Sequence, residues 1–268
     1  MKRVALILAG GAGTRLRPLS SDENPKQFLP IFEGRSLLQK TYARVNARVA
    51  ATYISTNEQY AAKCAQQLGK VNILTEPSRR NNGPAIALCC REIEARDGDV
   101  VMAVLPSDHF IGDEKEFARV LDRAFAFAES HDYLVTLGIE PTEPNTGYGY
   151  LQLGRELEAD VIAVDRFLEK PSRQKAEAFL RAGNYAWNAG IFVWRASVFR
   201  NAMQQAASEI AAVTRDNYDQ MPSISIDYAL MEKAPRVAAV RGDFGWSDVG
   251  SFEALERAGV DVDALLNR

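Results

Sequence analysis

Through its first half the chain alternates short apolar runs with longer stretches of helical periodicity. Residues 4–9, 52–55, 71–74, 100–105 and 134–138 are short, mainly apolar runs without regular polar alternation, so each reads as a buried strand covered on both faces. Between them, 36–49, 58–68, 84–96 and 114–128 carry helical spacing. Strands buried on both faces and joined by helices pair in parallel, with the helices as crossovers. The expectation is an α/β fold, a mostly parallel sheet flanked by helices.

The texture changes after Gly138. Residues 140–148 form a loop rich in Pro, Thr, Asn and Gly, followed by strand-like runs at 149–153, 161–168 and 189–194 around a helix at 173–182. Helical segments near 197–207 and 227–233, a strand at 237–241 and a short tail follow. These later strands are expected to lie beside the first set and make the sheet mixed. No repeat, low-complexity tract or linker interrupts the sequence. With 268 residues, one continuous domain can bury a substantial core.

Composition excludes several classes. There are 32 basic and 35 acidic residues, a net charge of −3, and no basic face that would suit nucleic acid. No segment is long and apolar enough to span a bilayer. Lys2-Arg3 before an apolar run superficially resembles a signal peptide, but the run is short and passes straight into glycines. It reads as a buried strand. Cys64, Cys89 and Cys90 form no CxxC pair and read as buried thiols of a cytoplasmic protein.

The first strand ends in Gly10-Gly11-Ala12-Gly13-Thr14-Arg15-Leu16. In open α/β sheets, ligands bind beyond the carboxyl ends of the strands. Glycines there let backbone N–H groups approach phosphate closely, and Arg15 and Arg17 add cations. A Walker A loop is excluded because Gly-Lys-Ser/Thr is absent. A dinucleotide fingerprint is excluded because Leu16 stands for the third glycine and the second strand ends Ser55-Thr56-Asn57 with no acid. Lys26 lies in Asn24-Pro25-Lys26-Gln27-Phe28-Leu29-Pro30, where two prolines stiffen the backbone. A stiff segment suits a cation that neutralises phosphate; a solvated surface lysine is the alternative reading.

Two aspartates stand out. Asp108 follows the strand 100–105 in Pro106-Ser107-Asp108-His109, and Asp248 lies in Gly245-Trp246-Ser247-Asp248-Val249-Gly250. Magnesium in phosphoryl transfer is held by one or two carboxylates plus substrate phosphates, although a lone aspartate at a strand end also serves as a helix cap. His109 reads as a residue hydrogen-bonded to a neighbour. Thr146-Gly147-Tyr148-Gly149-Tyr150 enters a strand, Phe167-Leu168-Glu169-Lys170-Pro171 ends one, and Trp187-Asn188-Ala189-Gly190 opens another. Carboxylates accept from sugar hydroxyls, and a lysine suits a phosphate. Trp187, Phe192 and Trp194 read as core.

These pieces together resemble the mannose-1-phosphate guanylyltransferases within the sugar nucleotidyltransferases. The resemblance rests on 8–20, Pro25–Leu29, Glu76-Pro77 through Ala85-Ile86-Ala87, Leu105–His109, Thr146–Tyr150, Phe167–Pro171, Trp187–Phe192 and Gly245–Ser251, in the family's order. It implies a Rossmann-like, nucleotide-diphospho-sugar transferase fold, here without the C-terminal β-helix that relatives often carry. It divides the chain into a nucleotide-binding part, about 1–138, and a sugar-phosphate-binding part, about 139–251.

The resemblance further implies that Leu8, Ala9, Gly10, Gly11, Gly13, Thr14, Arg15 and Lys26 hold the triphosphate. Glu76, Pro77, Asn82, Ala85 and Ser107 would complete the nucleotide site. Gly147, Tyr148, Glu169, Asn188 and Gly190 would hold the sugar and Lys170 its phosphate. Asp108 and Asp248 would bind Mg2+, and Arg15, Lys26 and Asp108 would be catalytic. GTP and mannose 1-phosphate are the implied substrates, and a homodimer the assembly considered. The chain departs from the family where Asn81-Asn82-Gly83-Pro84 stands for Asn-Thr-Ala-Pro.

The reaction expected is in-line displacement at the α-phosphorus of the nucleotide, with no covalent intermediate and no general base. Alternatives are a different hexose or heptose 1-phosphate, or a non-catalytic sugar-nucleotide-binding regulatory paralogue. The latter should have lost phosphate or metal ligands, which this chain retains. A nicotinamide-dependent oxidoreductase is disfavoured by the missing glycine and acid.

Overall fold

The computed structural model describes residues 1–11, 13 and 16–266. In chain order the elements are β1 (Arg3–Leu8), α1 (Leu37–Asn46), β2 (Ala51–Asn57), α2 (Glu58–Leu68), β3 (Asn72–Glu76), α3 (Asn82–Asp97), β4 (Val101–Pro106), β5 (Phe110–Ile111), α4 (Glu114–Ser130) and β6 (Leu134–Ile139). The second half adds β7 (Tyr150–Glu158), β8 (Val161–Leu168), α5 (Arg173–Ala182), β9 (Tyr185–Arg195), α6 (Ala196–Ala206), α7 (Ser208–Ala211), β10 (Val237–Arg241), β11 (Trp246–Ser247), α8 (Phe252–Arg257) and α9 (Val262–Leu266).

Among the described residues, nine strands form one mixed sheet in the order β3-β2-β1-β4-β9-β6-β10-β8-β7. β3, β2, β1 and β4 pair in parallel, as their two-sided apolar character requires. The later strands do not all lie beside this set. β9 enters the middle of the sheet, antiparallel to both β4 and β6. Its apolar run from Ala189 to Trp194 is covered on both faces, and only a central position covers an eleven-residue strand that way.

One face of the sheet packs against α1, α2 and α4, through Leu38, Tyr60, Phe117 and Phe125. The other packs against α3 and α6, through Ile86, Ile93, Phe199 and Met203. A third cluster joins Leu16, Leu29, Phe32 and Leu37 to Val249, Leu255 and Val262. The residues after Ser251 are therefore not a loose tail. Their two short helices cover the loop that follows β1. Helix ends follow local chemistry: Ser36 and Gln39 form a reciprocal cap on α1, and Asp113 caps α4.

The sheet's carboxyl edge gathers the ends of β1, β2, β3 and β4. β11 pairs antiparallel with β5, with Ser247 opposite Phe110. This two-residue ladder returns the chain, more than a hundred residues later, to the loop that follows β4. Trp194, fully buried in β9, tests the strand's placement. Trp194→Ala should lower unfolding free energy by about 3–5 kcal/mol in urea titration, whereas a rim strand would tolerate the change.

Candidate active site

The site is built at that edge. Pro25 and the turn Lys26–Phe28 place Lys26 under the loop after β1, where it is 3% exposed. Its ammonium lies 2.8 Å from Asp108 Oδ2 and donates to the main-chain oxygens of Asp248 (2.7 Å) and Val249 (3.3 Å). The surface-lysine reading is thus excluded. Gly13 has a φ of +62°, and a Cβ there would stand 2.6 Å from Lys26 N. Only glycine accommodates both the left-handed backbone and that approach. Gln27 ties the loop from below, donating to Ala9 O (3.0 Å) and Gly11 O (2.8 Å).

Asp248 is held through its side chain as well. Its Oδ1 accepts from Tyr148 OH and from Gly250 N–H, each at 3.1 Å. Tyr148 packs edge-on against Trp187 and Trp246. Burial, with the Asp248 charge beside it, pushes the Tyr148 phenol up, so it remains a donor. Trp246 Nε1 donates to His109 Nδ1 at 3.1 Å, the neighbour bond expected of His109. Val249 is fully buried with φ at +46°. A β-branched residue in that region is strained, and such strain concentrates at functional positions.

Next to this cluster a cleft of about 370 Å³ is lined by Leu8, Gly10, Gly11, Gln27, Asn57, Glu76, Arg79, Asn81, Asn82, Ala85, Pro106, Ser107 and Asp108. Leu8, Gly10, Gly11, Glu76, Asn82, Ala85 and Ser107, which the sequence resemblance assigns to the nucleotide, thus share one cavity with Asp108. Ala9 is fully buried and does not line the cleft, and its carbonyl accepts from Gln27 and from Thr56 OH. Pro77 does not line the cleft. Arg17 is exposed and pairs with Asp22, so it adds no charge to the cleft. Thr14 and Arg15 lie outside the described residues.

Glu76 accepts from Tyr218 OH (3.2 Å) and Ser55 OH (3.4 Å). Burial raises its carboxyl above the ordinary value, against the lowering effect of those donors. Asn82 Oδ1 accepts from Ile226 N–H at 2.7 Å, so part of its side chain is committed within the protein. The cysteines are buried, and burial pushes the Cys64 thiol up to about 11 and the Cys89 thiol to about 12. They are inert thiols.

The residues that the sequence resemblance assigns to the sugar phosphate form a second group. Glu169 sits against Gly149, its Oε2 2.6 Å from where a Cβ on Gly149 would stand, with Asn188 alongside. Lys170 Nζ lies 3.3 Å from Glu169 Oε1 and is well exposed. Asn188 is buried, and its Oδ1 accepts from Thr136 OH (2.7 Å) and Gly190 N–H (3.1 Å). Gly190 connects the two groups, since a Cβ on it would stand 3.8 Å from His109 Cε1. Gly147 is exposed in its loop, where its N–H donates to Asn145 Oδ1 at 2.8 Å. Tyr218 and Asp227 carry no signal in the sequence. Tyr218 reads as one aromatic among many, and Asp227 as an ordinary acid opening a helix.

Comparison with known proteins agrees with this architecture. The nucleotidyl transferase family model matches residues 4–264. The Xanthan biosynthesis protein XanB of Xanthomonas campestris pv. campestris is 41% identical over 93% of this chain and 58% of its own length. A mannose-1-phosphate guanylyltransferase of Sinorhizobium fredii is 40% identical over 95% of this chain and 54% of its own. Among solved structures, a Thermus thermophilus protein described as a mannose-1-phosphate geranyltransferase superposes with a TM-score of 0.88. It is 36% identical over 97% of this chain and 79% of its own. The chain belongs to the nucleotidyl transferase family, with the α/β fold of the nucleotide-diphospho-sugar transferases. It spans 54–58% of the length of these two curated relatives.

Lys26→Met should lower unfolding free energy by about 1–3 kcal/mol, because oxygens of Asp248 and Val249 lose their donor. Arg17→Ala, which breaks an exposed pair, should change it by less than about 0.5 kcal/mol. Denaturant titration of both variants checks the contrast.

Proposed function

We propose that this chain joins GTP to α-D-mannose 1-phosphate, forming GDP-mannose and releasing pyrophosphate. The observation that carries the reading is that buried Lys26, next to the cleft, bridges the cleft-lining Asp108 carboxylate and the Asp248 main-chain carbonyl. The name of the Sinorhizobium fredii relative, a mannose-1-phosphate guanylyltransferase 40% identical to this chain, points the same way. We read 1–138 as the nucleotide part and 139–251 as the sugar-phosphate part, sharing one sheet.

The chemistry follows from charge. An oxygen of the sugar phosphate attacks the α-phosphorus in line, and pyrophosphate leaves. The attacking oxygen is already anionic at neutral pH, so no base is needed. The obstacle is repulsion between two polyanions, which positioning and charge neutralisation overcome. Lys26 sits beside Asp108 for that purpose, and Lys170, exposed at the end of β8, suits the sugar's phosphate. Glu76 would accept from the N–H donors of guanine, with the Asn82 amide nearby.

A divalent cation fits the donor set. Asp108 and Asp248 supply hard carboxylate oxygens, and Asp108 already faces a cation at 2.8 Å. No cluster of three metal-binding acids, histidines or cysteines occurs among the described residues, so substrate phosphates and water would complete the shell. Mg2+ held there would neutralise phosphate charge. The residues themselves orient the carboxylates: Tyr148 and Gly250 fix Asp248, and Lys26 fixes Asp108.

Asp108→Ala and Lys26→Ala should each reduce turnover by about 10²–10³-fold in a Mg2+-dependent pyrophosphate-release assay. Lys170→Ala should mainly raise the KM for the sugar phosphate. A panel of nucleoside triphosphates and hexose 1-phosphates should show GTP with mannose 1-phosphate as the best pair. Release faster with another pair would reassign the substrates, and no turnover with any pair would leave a binding protein.

A further inference from the structure

Glu76 ends β3, an outer strand of the sheet. β2 flanks it on one side, with Asn57 opposite Glu76. Several side-chain torsions separate the carboxylate from that backbone, and the last of them has broad wells. A carboxylate held by its strand alone would face the cleft in many orientations. This one is fixed at both oxygens. Oε1 accepts from Ser55 OH (3.4 Å) and lies 2.9 Å from where a Cβ on Gly10 would stand, so a side chain at 10 would push it aside. Oε2 accepts from Tyr218 OH (3.2 Å), 142 residues further along the chain.

Tyr218 is fully buried and does not line the cleft. Its ring belongs to the apolar cluster that contains Leu74, Ile86 and Cys89. A phenol enclosed in this way keeps a hydrogen-bond partner for its hydroxyl, and Glu76 is that partner. Burial raises the Glu76 carboxyl, and Tyr218 is the foremost of the donors that oppose the rise. The hydroxyl therefore favours the ionised form, which accepts at both oxygens.

The turn that carries Tyr218, the 3-10 turn Tyr218–Gln220, is itself pinned. Thr214 N–H donates to Asn217 Oδ1 (2.7 Å) and Asn217 N–H to Thr214 Oγ1 (3.3 Å), a reciprocal pair. Arg215 forks onto Glu92 of α3, Nε to Oε1 at 2.7 Å and Nη2 to Oε2 at 3.3 Å. Arg80 donates to the main-chain oxygen of Asp219. These ties hold the hydroxyl relative to α3, whose residues Asn82 and Ala85 line the same cleft as Glu76. An anchored donor behind a cleft-lining acceptor sets the direction that the acceptor faces.

We infer that Tyr218 is a positioning residue for nucleobase selection, its hydroxyl holding the Glu76 carboxylate so that both oxygens meet the N1–H and 2-amino donors of guanine. This rests on reading Glu76 as the acceptor for guanine. An ionised carboxylate has about four acceptor positions, of which Ser55 and Tyr218 take one on each oxygen. Each oxygen keeps a position for the base. Guanine offers two adjacent donors and uses both. Hypoxanthine offers N1–H alone, and adenine turns an acceptor at N1 toward the carboxylate. Selection of the base is thus completed by a residue from the second half of the chain.

The test is calorimetric titration of GTP, ITP and ATP into the full chain, for wild type, Tyr218→Phe, Glu76→Ala and the double variant, with mannose 1-phosphate titrated in parallel. Phenylalanine keeps the ring that fills the cluster, so the substitution removes the hydroxyl alone. Tyr218→Phe should weaken GTP about tenfold, the effect of losing a hydrogen bond to a charged group, weaken ITP less, and leave ATP and mannose 1-phosphate within about twofold. In the Glu76→Ala background, adding Tyr218→Phe should change GTP by less than about twofold, because a residue that acts through Glu76 has nothing left to act on. A general structural role would instead weaken GTP and ATP together, and by the same factor in both backgrounds. Either result overturns the proposal, as does a wild-type preference for GTP that folded Tyr218→Phe retains. A wild type without that preference, or a Glu76→Ala variant that keeps it, overturns the reading of Glu76 itself. Binding as expected without pyrophosphate release supports the role of Tyr218 and overturns the nucleotidyl transfer proposed above.

Discussion

A lysine ammonium removed from water costs several kcal/mol unless oxygens replace its hydration. Lys26 meets that demand with three oxygens, two of them main-chain atoms more than 200 residues further along the chain. Much of the surrounding structure exists to bring those atoms there. The β5–β11 ladder returns the chain to the end of β4. The cluster of Leu16, Phe32, Val249 and Leu255 clamps the loop after β1 against the C-terminal helices. Val249 keeps an unfavourable backbone conformation, and its carbonyl is one of the acceptors.

From that ammonium a connected set of contacts runs outward. Asp108 lies on one side, facing the cleft. On the other, Asp248 receives Tyr148, Tyr148 packs on Trp246, and Trp246 donates to His109. His109 follows Asp108 directly in the chain, so the path closes on itself. A closed path fixes the two carboxylates relative to each other more firmly than either strand end could alone. Preorganised charges of this kind need no reorganisation as charge moves during reaction.

Much of this is legible in the sequence because it depends on local rules. Short, mainly apolar runs announce the buried parallel strands, and glycines after β1 announce a phosphate-sized loop. The position of β9 is not legible. Its apolar run says that both faces are covered but not which neighbours cover them, and an insertion between β4 and β6 is a property of the whole sheet. The tail is illegible for a related reason: α8 and α9 are too short to show periodicity, and they are stabilised by packing on a distant loop. Lys26 in the sequence reads equally as a phosphate-neutralising cation or a solvated surface lysine, and its burial is not legible because that depends on acceptors supplied from elsewhere. Asp227 gives no signal, because its environment comes from β8 and β9 and not from its own helix.

The segment 224–232 shows why the two halves of the site are better described together. The loop at Asn82 and Gly83 grips one end of this segment, and Asn188 and Glu169 grip the other. A shift of the loop large enough to break the Ile226–Asn82 bond would also displace Asp227 from Asn188, because the two ties fall on adjacent residues. The Asn82-Gly83 pair then has a mechanical meaning apart from any contact with a base: the amide supplies the tie, and the missing side chain supplies the room. An alanine at 83 would close that room, because its Cβ would stand 2.6 Å from Ile224 O, and the displaced segment would carry the change on toward Asn188 and Glu169.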